Sequence, residues 1–214
     1  MIRDWIKQIS IEEMANTLTH GLGLLLSIVG FIFLTVLAVL YGDAWHIASS
    51  IVYGLSLVIL YAASTFYHST ITPRRKEFLR LVDHCCIYLL IAGSYTPFVL
   101  VALRSGFGFG LLTLVWMIAA FGIAMKVVFR DRYKALGITL YLAMGWLGVI
   151  AAQPMYLALG LVPLVLIIAG GLSYTAGMIF FGWKSIRHHH AIFHVFVLMG
   201  SIIHFIAIAR YVIG

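Results

Sequence analysis

The chain has 214 residues, of which 63% are hydrophobic and only 10% are charged, and its formal net charge is +7. A soluble domain is about half apolar and about a quarter charged, so this composition excludes a soluble globular protein and indicates a membrane protein. The two cysteines, Cys85 and Cys86, are adjacent, which disfavours a disulfide between them.

Seven apolar segments are each near the ~20 residues that a helix needs to cross the hydrocarbon core. We therefore predict an all-α membrane protein, a seven-transmembrane-helix bundle that forms one domain over residues 1–214. Residues 1–17 are not expected to be a signal peptide, because they include acidic residues and lack its apolar core. They are interpreted as a cytoplasmic N-terminal segment on the basis of the charge distribution. The predicted spans are residues 19–41, 44–67, 81–103, 109–128, 135–152, 157–181 and 191–213.

The basic residues are very unequally divided between the two sides of the predicted bundle. Most of them precede span one or lie in the connections after spans two, four and six, whereas Arg104 and Arg210 lie on the other side. The positive-inside rule then predicts a cytoplasmic N-terminus and an outside C-terminus. Binding of anionic lipid is a second use that the same clusters would allow. The clustered residues are Arg3, Lys7, Arg74, Arg75, Lys76, Arg80, Lys126, Arg130, Arg132, Lys134, Lys184 and Arg187.

Two prolines fall inside predicted spans. Pro97 lies in the third and Pro163 in the sixth. A proline inside a helix removes a backbone hydrogen bond, so we expect both helices to kink and to open space in the bundle.

Histidines indicate a metal site at the cytoplasmic end. His190 and His194 are four residues apart, so they share one face of a helix and could bind one ion. The predicted topology brings His68, at the end of span two, to the same depth. The predicted metal ligands are therefore His68, His190 and His194, and nitrogen ligands favour zinc while leaving iron, copper and nickel open.

Further polar residues are predicted at the same depth. Asp83, at the start of span three, would hold or deprotonate a water molecule, and Ser64, one turn before His68, would hydrogen-bond the same water or a substrate group. These two residues are the catalytic candidates. Glu13, Asn16 and His20 form one stripe and are predicted to lie around the metal ligands, although Glu13 would also suit an anchor at the helix start.

His204 is a different case. It lies ten residues after His194, which is ~15 Å further along a helix. It cannot share the metal, and we expect it to form a hydrogen bond to another helix.

These residues together resemble the signature of a known superfamily. Glu13-x-x-Asn16-x-x-x-His20, Ser64-x-x-x-His68, Asp83 and His190-x-x-x-His194 look like the motifs of the progestin and adipoQ receptors and, within them, the bacterial haemolysin III proteins. The resemblance implies seven helices, a cytoplasmic N-terminus and a zinc ion held by the three histidines, with Asp83 and Ser64 near its water. The wider superfamily, which includes adiponectin receptors and is similar to alkaline ceramidases, implies hydrolysis of a lipid amide.

The leading hypothesis is a zinc-dependent hydrolase that cleaves an amide or ester of a lipid in a bacterial inner (plasma) membrane. A first alternative is a lipid-responsive receptor or membrane-homeostasis protein, in which a structural zinc joins helices and needs a fourth ligand from His20, Glu13 or Asp83. A second alternative is a cytolytic pore. We expect a membrane lipid as substrate or ligand, and no nucleic acid as partner.

Overall fold

A computed structural model describes residues 9–130 and 132–214, and the described chain forms seven helical spans. The prediction of an all-α bundle with seven spans is confirmed. The helices are α1 (Ile11–Tyr41), α2 (Ala44–Ser69), α3 (Pro73–Pro97, continued by a π-helix over Phe98–Ala102), α4 (Gly106–Phe129), α5 (Lys134–Trp146), α6 (Ala152–Leu159), α7 (Leu161–Gly182) and α8 (His189–Ile208, continued by a π-helix over Ala209–Ile213). A 3-10 turn over Leu147–Ala151 joins α5 to α6, and together they form the fifth span.

Capping residues explain where several helices begin. The Ser10 side chain accepts a hydrogen bond from the Glu13 N–H at 3.1 Å, and Ser105 does the same for Gly108 at 3.2 Å. Asp43 accepts from the N–H groups of Trp45 and His46. These bonds satisfy backbone donors that the first turn of a helix leaves without partners.

Several boundaries differ from the predicted ones, among them the start of the third span, which is Pro73 instead of residue 81. The first helix begins at Ile11 instead of residue 19, so it includes the polar residues Glu13 and Asn16. The fifth span runs to Leu159 and takes in residues that were predicted to start the sixth. The break falls at Gly160, whose φ of +85° suits glycine and ends the helix.

The two prolines act differently. Pro97 ends the regular part of α3, and the chain continues as a π-helix, as expected where the proline nitrogen can donate no hydrogen bond. Pro163 lies in the first turn of α7, where the backbone N–H groups need no partner within the helix. The predicted kink at Pro163 is therefore wrong.

Large apolar side chains lie on the outer surface of the bundle, and inside the bundle helix backbones approach one another closely. Leu25, Val29 and Ile32 are among the large apolar residues exposed on α1, as expected of a surface that faces lipid. Inside, Gly23 allows α1 to approach Tyr61 of α2, because a Cβ at this glycine would lie only 2.4 Å from the tyrosine ring. The fifth and sixth spans bury the smallest share of their residues.

Successive spans run in opposite directions, so the connections alternate between two ends of the bundle. The basic end carries residues 70–72, 130, 132–133 and 183–188, with the starts of α1, α3, α5 and α8. Arg104 lies at the opposite end, where it pairs with Asp43 at 2.8 Å. Arg3 and Lys7 lie outside the described residues, and the orientation of the bundle in the membrane stays a prediction.

Candidate metal centre

The three predicted ligands come from the ends of two helices. His68 lies in the last turn of α2, and His190 and His194 lie in the first two turns of α8. The residue before α8, His188, has a left-handed backbone with φ of 58°, which turns the chain into the helix. Both helix ends lie at the basic end of the bundle.

The three imidazoles meet. One ring nitrogen from each of His68, His190 and His194 lies within 4.8 Å of the other two. A tetrahedral ion that binds imidazole at ~2.0–2.1 Å holds its nitrogens about 3.4 Å apart, so small ring rotations would close the group on an ion. The described structure therefore contains a three-histidine cluster that could bind a metal.

The other ring nitrogens have partners that orient the rings. His68 Nδ1 lies 2.5 Å from Glu13 Oε2, and Lys76 Nζ donates to Glu13 Oε1 at 2.7 Å. His194 Nδ1 lies 3.2 Å from the Thr19 hydroxyl, which donates to the Ala15 carbonyl and so accepts from the imidazole. A carboxylate behind a histidine is the usual support of a metal-binding imidazole, since it fixes the tautomer.

A buried ring nitrogen without a hydrogen-bond partner tests whether the three histidines fit a metal ion. His68 is only 3% exposed, and its Nε2 has no hydrogen-bond partner among the described residues. Burying such an atom without a partner costs free energy. A metal ion bound at Nε2 would remove this cost, so the donor set fits a metal.

The two catalytic candidates are linked to each other beside the cluster. The Ser64 hydroxyl hydrogen-bonds the Asp83 carboxyl, and it lies 2.6 Å from His20 Nδ1. The ring of His20 stacks on His194, with centroids 3.4 Å apart and planes at 15°. Ser64, Asp83 and His20 therefore form one chain of polar contacts that ends against a predicted ligand.

None of the predicted candidates for a fourth ligand joins the three nitrogens. Both carboxylate oxygens of Glu13 are engaged, by His68 and by Lys76. Neither Asp83 nor His20 belongs to the group of ligand atoms. Three protein ligands with an open fourth position are typical of catalytic sites, whereas structural sites are closed.

Asn16 and His204 complete the set of predicted residues. Asn16 is buried near the start of α1, and its Oδ1 has no partner among the described residues, so its place around the ligands stays a prediction. His204 Nε2 lies 3.0 Å from the Ile167 carbonyl of α7. The expected hydrogen bond between helices is confirmed.

A cavity of about 750 Å³ begins at this site and runs along the bundle. His20, Ser64, Asp83, His190 and His194 are among its lining residues. On α3 it follows the helix from Asp83 to Phe98, which is about 22 Å along the axis. The cluster therefore opens onto a long internal space with mainly apolar walls.

Two contacts at the site were missed from the sequence. Lys76 and Thr19 each support a ligand, Lys76 through Glu13 and Thr19 directly. Thr19 is adjacent to His20 and one turn from Asn16, and this spacing is a signal that could have found it. For Lys76 the sequence indicates only a place in a basic connection.

Glu13→Gln should lower metal affinity about 10–100-fold, the usual effect of losing a carboxylate behind a ligating histidine. Glu13 accepts from both His68 and Lys76, so removal of its charge frees the imidazole to rotate. A competition titration against a chromophoric chelator measures the change. Glu12→Gln is the matched control, because Glu12 lies next to it and is 4.0 Å from His189 instead. Equal affinity of both variants would show that Glu13 does not support the site.

Comparisons with known proteins identify relatives of this chain. The profile of a family described as "Haemolysin-III related" matches residues 9–205. The chain is 46% identical over 200 residues to a protein of Bacillus subtilis (strain 168) named "Hemolysin-3 homolog", covering 94% of each chain. It is 42% identical over 202 residues to "Hemolysin-3" of Bacillus cereus, covering 94% of this chain and 92% of the relative. It is 31% identical over 208 residues to the human "Monocyte to macrophage differentiation factor", covering 94% of this chain and 84% of that protein.

Proposed function

This chain belongs to the haemolysin III family, and we propose that it is a zinc-dependent membrane hydrolase that cleaves an amide or ester of a membrane lipid. Its seven spans and its Bacillus relatives make it a multi-pass protein of the bacterial inner (plasma) membrane. This chain is also related to the progestin and adipoQ receptors, as its motifs indicate.

One observation carries the proposal. Among the described residues, three histidine nitrogens meet without a fourth protein ligand at the entrance of a long, mainly apolar cavity. An open ligand position is what a catalytic centre needs, and the cavity offers a place for an acyl chain beside it. His68, His190 and His194 would hold the zinc. The chemistry that zinc supplies when bound is Lewis acidity, which favours attack of water on a carbonyl near neutral pH.

Residues of this chain would accept the proton from the attacking water and transfer it to the leaving group. Asp83 is 8% exposed, lines the cavity and is joined to Ser64 by a hydrogen bond. Its carboxylate can accept a proton from water and return it to the nitrogen or oxygen of the leaving group. The carbonyl carbon takes the hydroxyl of the water, and the bond to the leaving group breaks. His20 would hold the Ser64 hydroxyl in place through the 2.6 Å contact.

The other two hypotheses have less support. A structural zinc would require a fourth ligand, and Glu13, His20 and Asp83 lie outside the group of nitrogens. A cytolytic pore would require a polar path across the bundle. The inner part of the cavity is instead lined by side chains such as Leu90, Phe98 and Leu111.

Lipid mass spectrometry on the purified protein tests the proposal. The full chain, loaded with zinc in nonionic detergent, is incubated with a bacterial lipid extract and with synthetic acyl amides and esters. We expect free fatty acid to accumulate, to stop when a chelator is added, and to resume when zinc is restored. A zinc-loaded protein that consumes no lipid would contradict the hydrolase and leave the receptor hypothesis in its place.

A further inference from the structure

Two polar side chains lie on the cavity wall far from the histidine cluster. Tyr174 of α7 and His204 of α8 both line the cavity. His204 comes ten residues after His194, which places it ~15 Å further along α8. Polar side chains at membrane depth are costly and usually serve a function. The cavity therefore has a second polar position, well separated from the proposed metal.

Glycines of the facing helix make room for both rings. A Cβ at Gly200 of α8 would lie 2.9 Å from the Tyr174 ring, and a Cβ at Gly170 of α7 would overlap the His204 ring. The two rings are also in edge contact, with centroids 5.5 Å apart and planes at 74°. The close packing of α7 against α8 therefore holds the pair in place.

The hydroxyl of Tyr174 has a hydrogen that is free to be donated. Tyr61 of α2 donates to the Ser201 hydroxyl at 2.9 Å, and the hydroxyl oxygens of Ser201 and Tyr174 are also 2.9 Å apart. Ser201 is buried, and among the described residues the Tyr174 oxygen is the acceptor within reach of its hydrogen. With Ser201 donating to Tyr174, the Tyr174 hydrogen can be donated to a group in the cavity.

His204 supplies an acceptor beside this donor. Its Nε2 lies 3.0 Å from the Ile167 carbonyl, which only accepts hydrogen bonds, so Nε2 carries the hydrogen of the neutral ring. Nδ1 is then an acceptor, and it is buried without a partner among the described residues. The bond between the helices requires Nε2 alone and does not account for Nδ1. A donor that reaches Nδ1 after a small turn of the ring would remove the cost of burying it.

We propose that Tyr174 and His204 form a subsite for a hydroxyl group on the hydrocarbon chain of a lipid in the cavity. A hydroxyl can accept from Tyr174 and donate to His204 Nδ1 at the same time, whereas a ketone can only accept. The ligand class is therefore an acyl lipid with a hydroxylated chain, whose carbonyl end lies near the histidine cluster. Cleavage of such a lipid rests on the proposed hydrolase, whereas binding of its chain does not.

Three fatty acids test the subsite. Ricinoleic acid carries a hydroxyl beyond the middle of its chain, oleic acid has the same chain without it, and oxidation of that hydroxyl gives the matching ketone. None of them has an amide or ester bond, so binding to the purified full chain in nonionic detergent is measured without turnover. We expect ricinoleic acid to bind on the order of tenfold tighter than oleic acid and about threefold tighter than the ketone, the effects of two hydrogen bonds and of one.

Variants assign the preference to the two side chains. Tyr174→Phe keeps the ring and removes the hydroxyl, so the preference for ricinoleic acid over oleic acid should fall about threefold. Tyr61→Phe is the matched control and should keep the preference, because Tyr61 belongs to the same chain of hydroxyls but lies outside the cavity lining. His204→Phe should bring ricinoleic acid and the ketone to equal affinity, since neither can then donate to Nδ1.

Equal affinity of the unchanged protein for ricinoleic acid and oleic acid would overturn the proposal, and this comparison does not depend on the folding of any variant. An equal loss of the preference in Tyr61→Phe and Tyr174→Phe would also overturn it, since the effect would then come from helix packing. A preference for ricinoleic acid in a protein that cleaves no lipid would contradict the proposed function alone. Cleavage of lipid without the preference would contradict the subsite alone.

Discussion

His194→Ala should reduce the metal content from about one ion per chain to nearly none. The substitution leaves two imidazoles and removes the most deeply buried ligand, which is 1% exposed. Two nitrogens do not make up the three protein ligands of a typical catalytic zinc site. Elemental analysis of protein purified in detergent measures the change, and His68→Ala should give the same result.

His46→Ala is the control for this loss. His46 lies at the opposite end of the bundle beside Asp43, and it has no contact with the cluster. We expect its metal content to match that of the unchanged protein. Gel filtration should show that all three variants remain monodisperse. Full metal content in both His68→Ala and His194→Ala would disprove the proposed ligands.

Asp83→Asn should slow turnover by about 10²–10⁴, the usual contribution of a general acid or base, while the metal stays bound. The amide keeps the size and can still hydrogen-bond Ser64, but it cannot accept a proton at neutral pH. Initial rates of fatty acid release, together with metal analysis of the same preparation, measure both properties.

Glu77→Gln is the matched control, because Glu77 is an exposed acid on the same helix that pairs with Arg130. Its rate should be unchanged. An Asp83→Asn variant with full activity would exclude Asp83 as the proton acceptor. A variant that loses its metal would instead make Asp83 a ligand.

The sequence was sufficient to predict the seven spans but not their ends. Apolar runs of about 20 residues identify helices that cross a bilayer, because the backbone must satisfy its own hydrogen bonds there. The first turns of α1 and α3 extend beyond the apolar core and include polar residues such as Glu12 and Arg74. A pattern of hydrophobicity carries little signal for these turns. The end of the fifth span depends on the backbone of Gly160, which composition does not reveal.

The parts of the candidate site that follow from residue spacing and from depth in the membrane were predictable. The interval from His190 to His194, and the topology that brings His68 to the same end, are properties of the sequence alone. The pairing of Glu13 with His68 was not predictable from the sequence, since Glu13 was equally suited to anchoring a helix start. The cavity arises from how side chains of separate helices pack, and no local pattern encodes it.

The division of the ligands between α2 and α8 has a consequence for biosynthesis. His190 follows His68 by 122 residues, which a ribosome adding ~5–20 residues per second takes roughly 6–24 s to make. Glu13 and Lys76, however, are both synthesised before α8, and the Lys76 ammonium group pairs with the Glu13 carboxylate that contacts His68. The nascent chain can thus hold this imidazole in position while synthesis continues. Capture of a metal by all three histidines would then be the last event of assembly, and it would report that the final helix has been inserted.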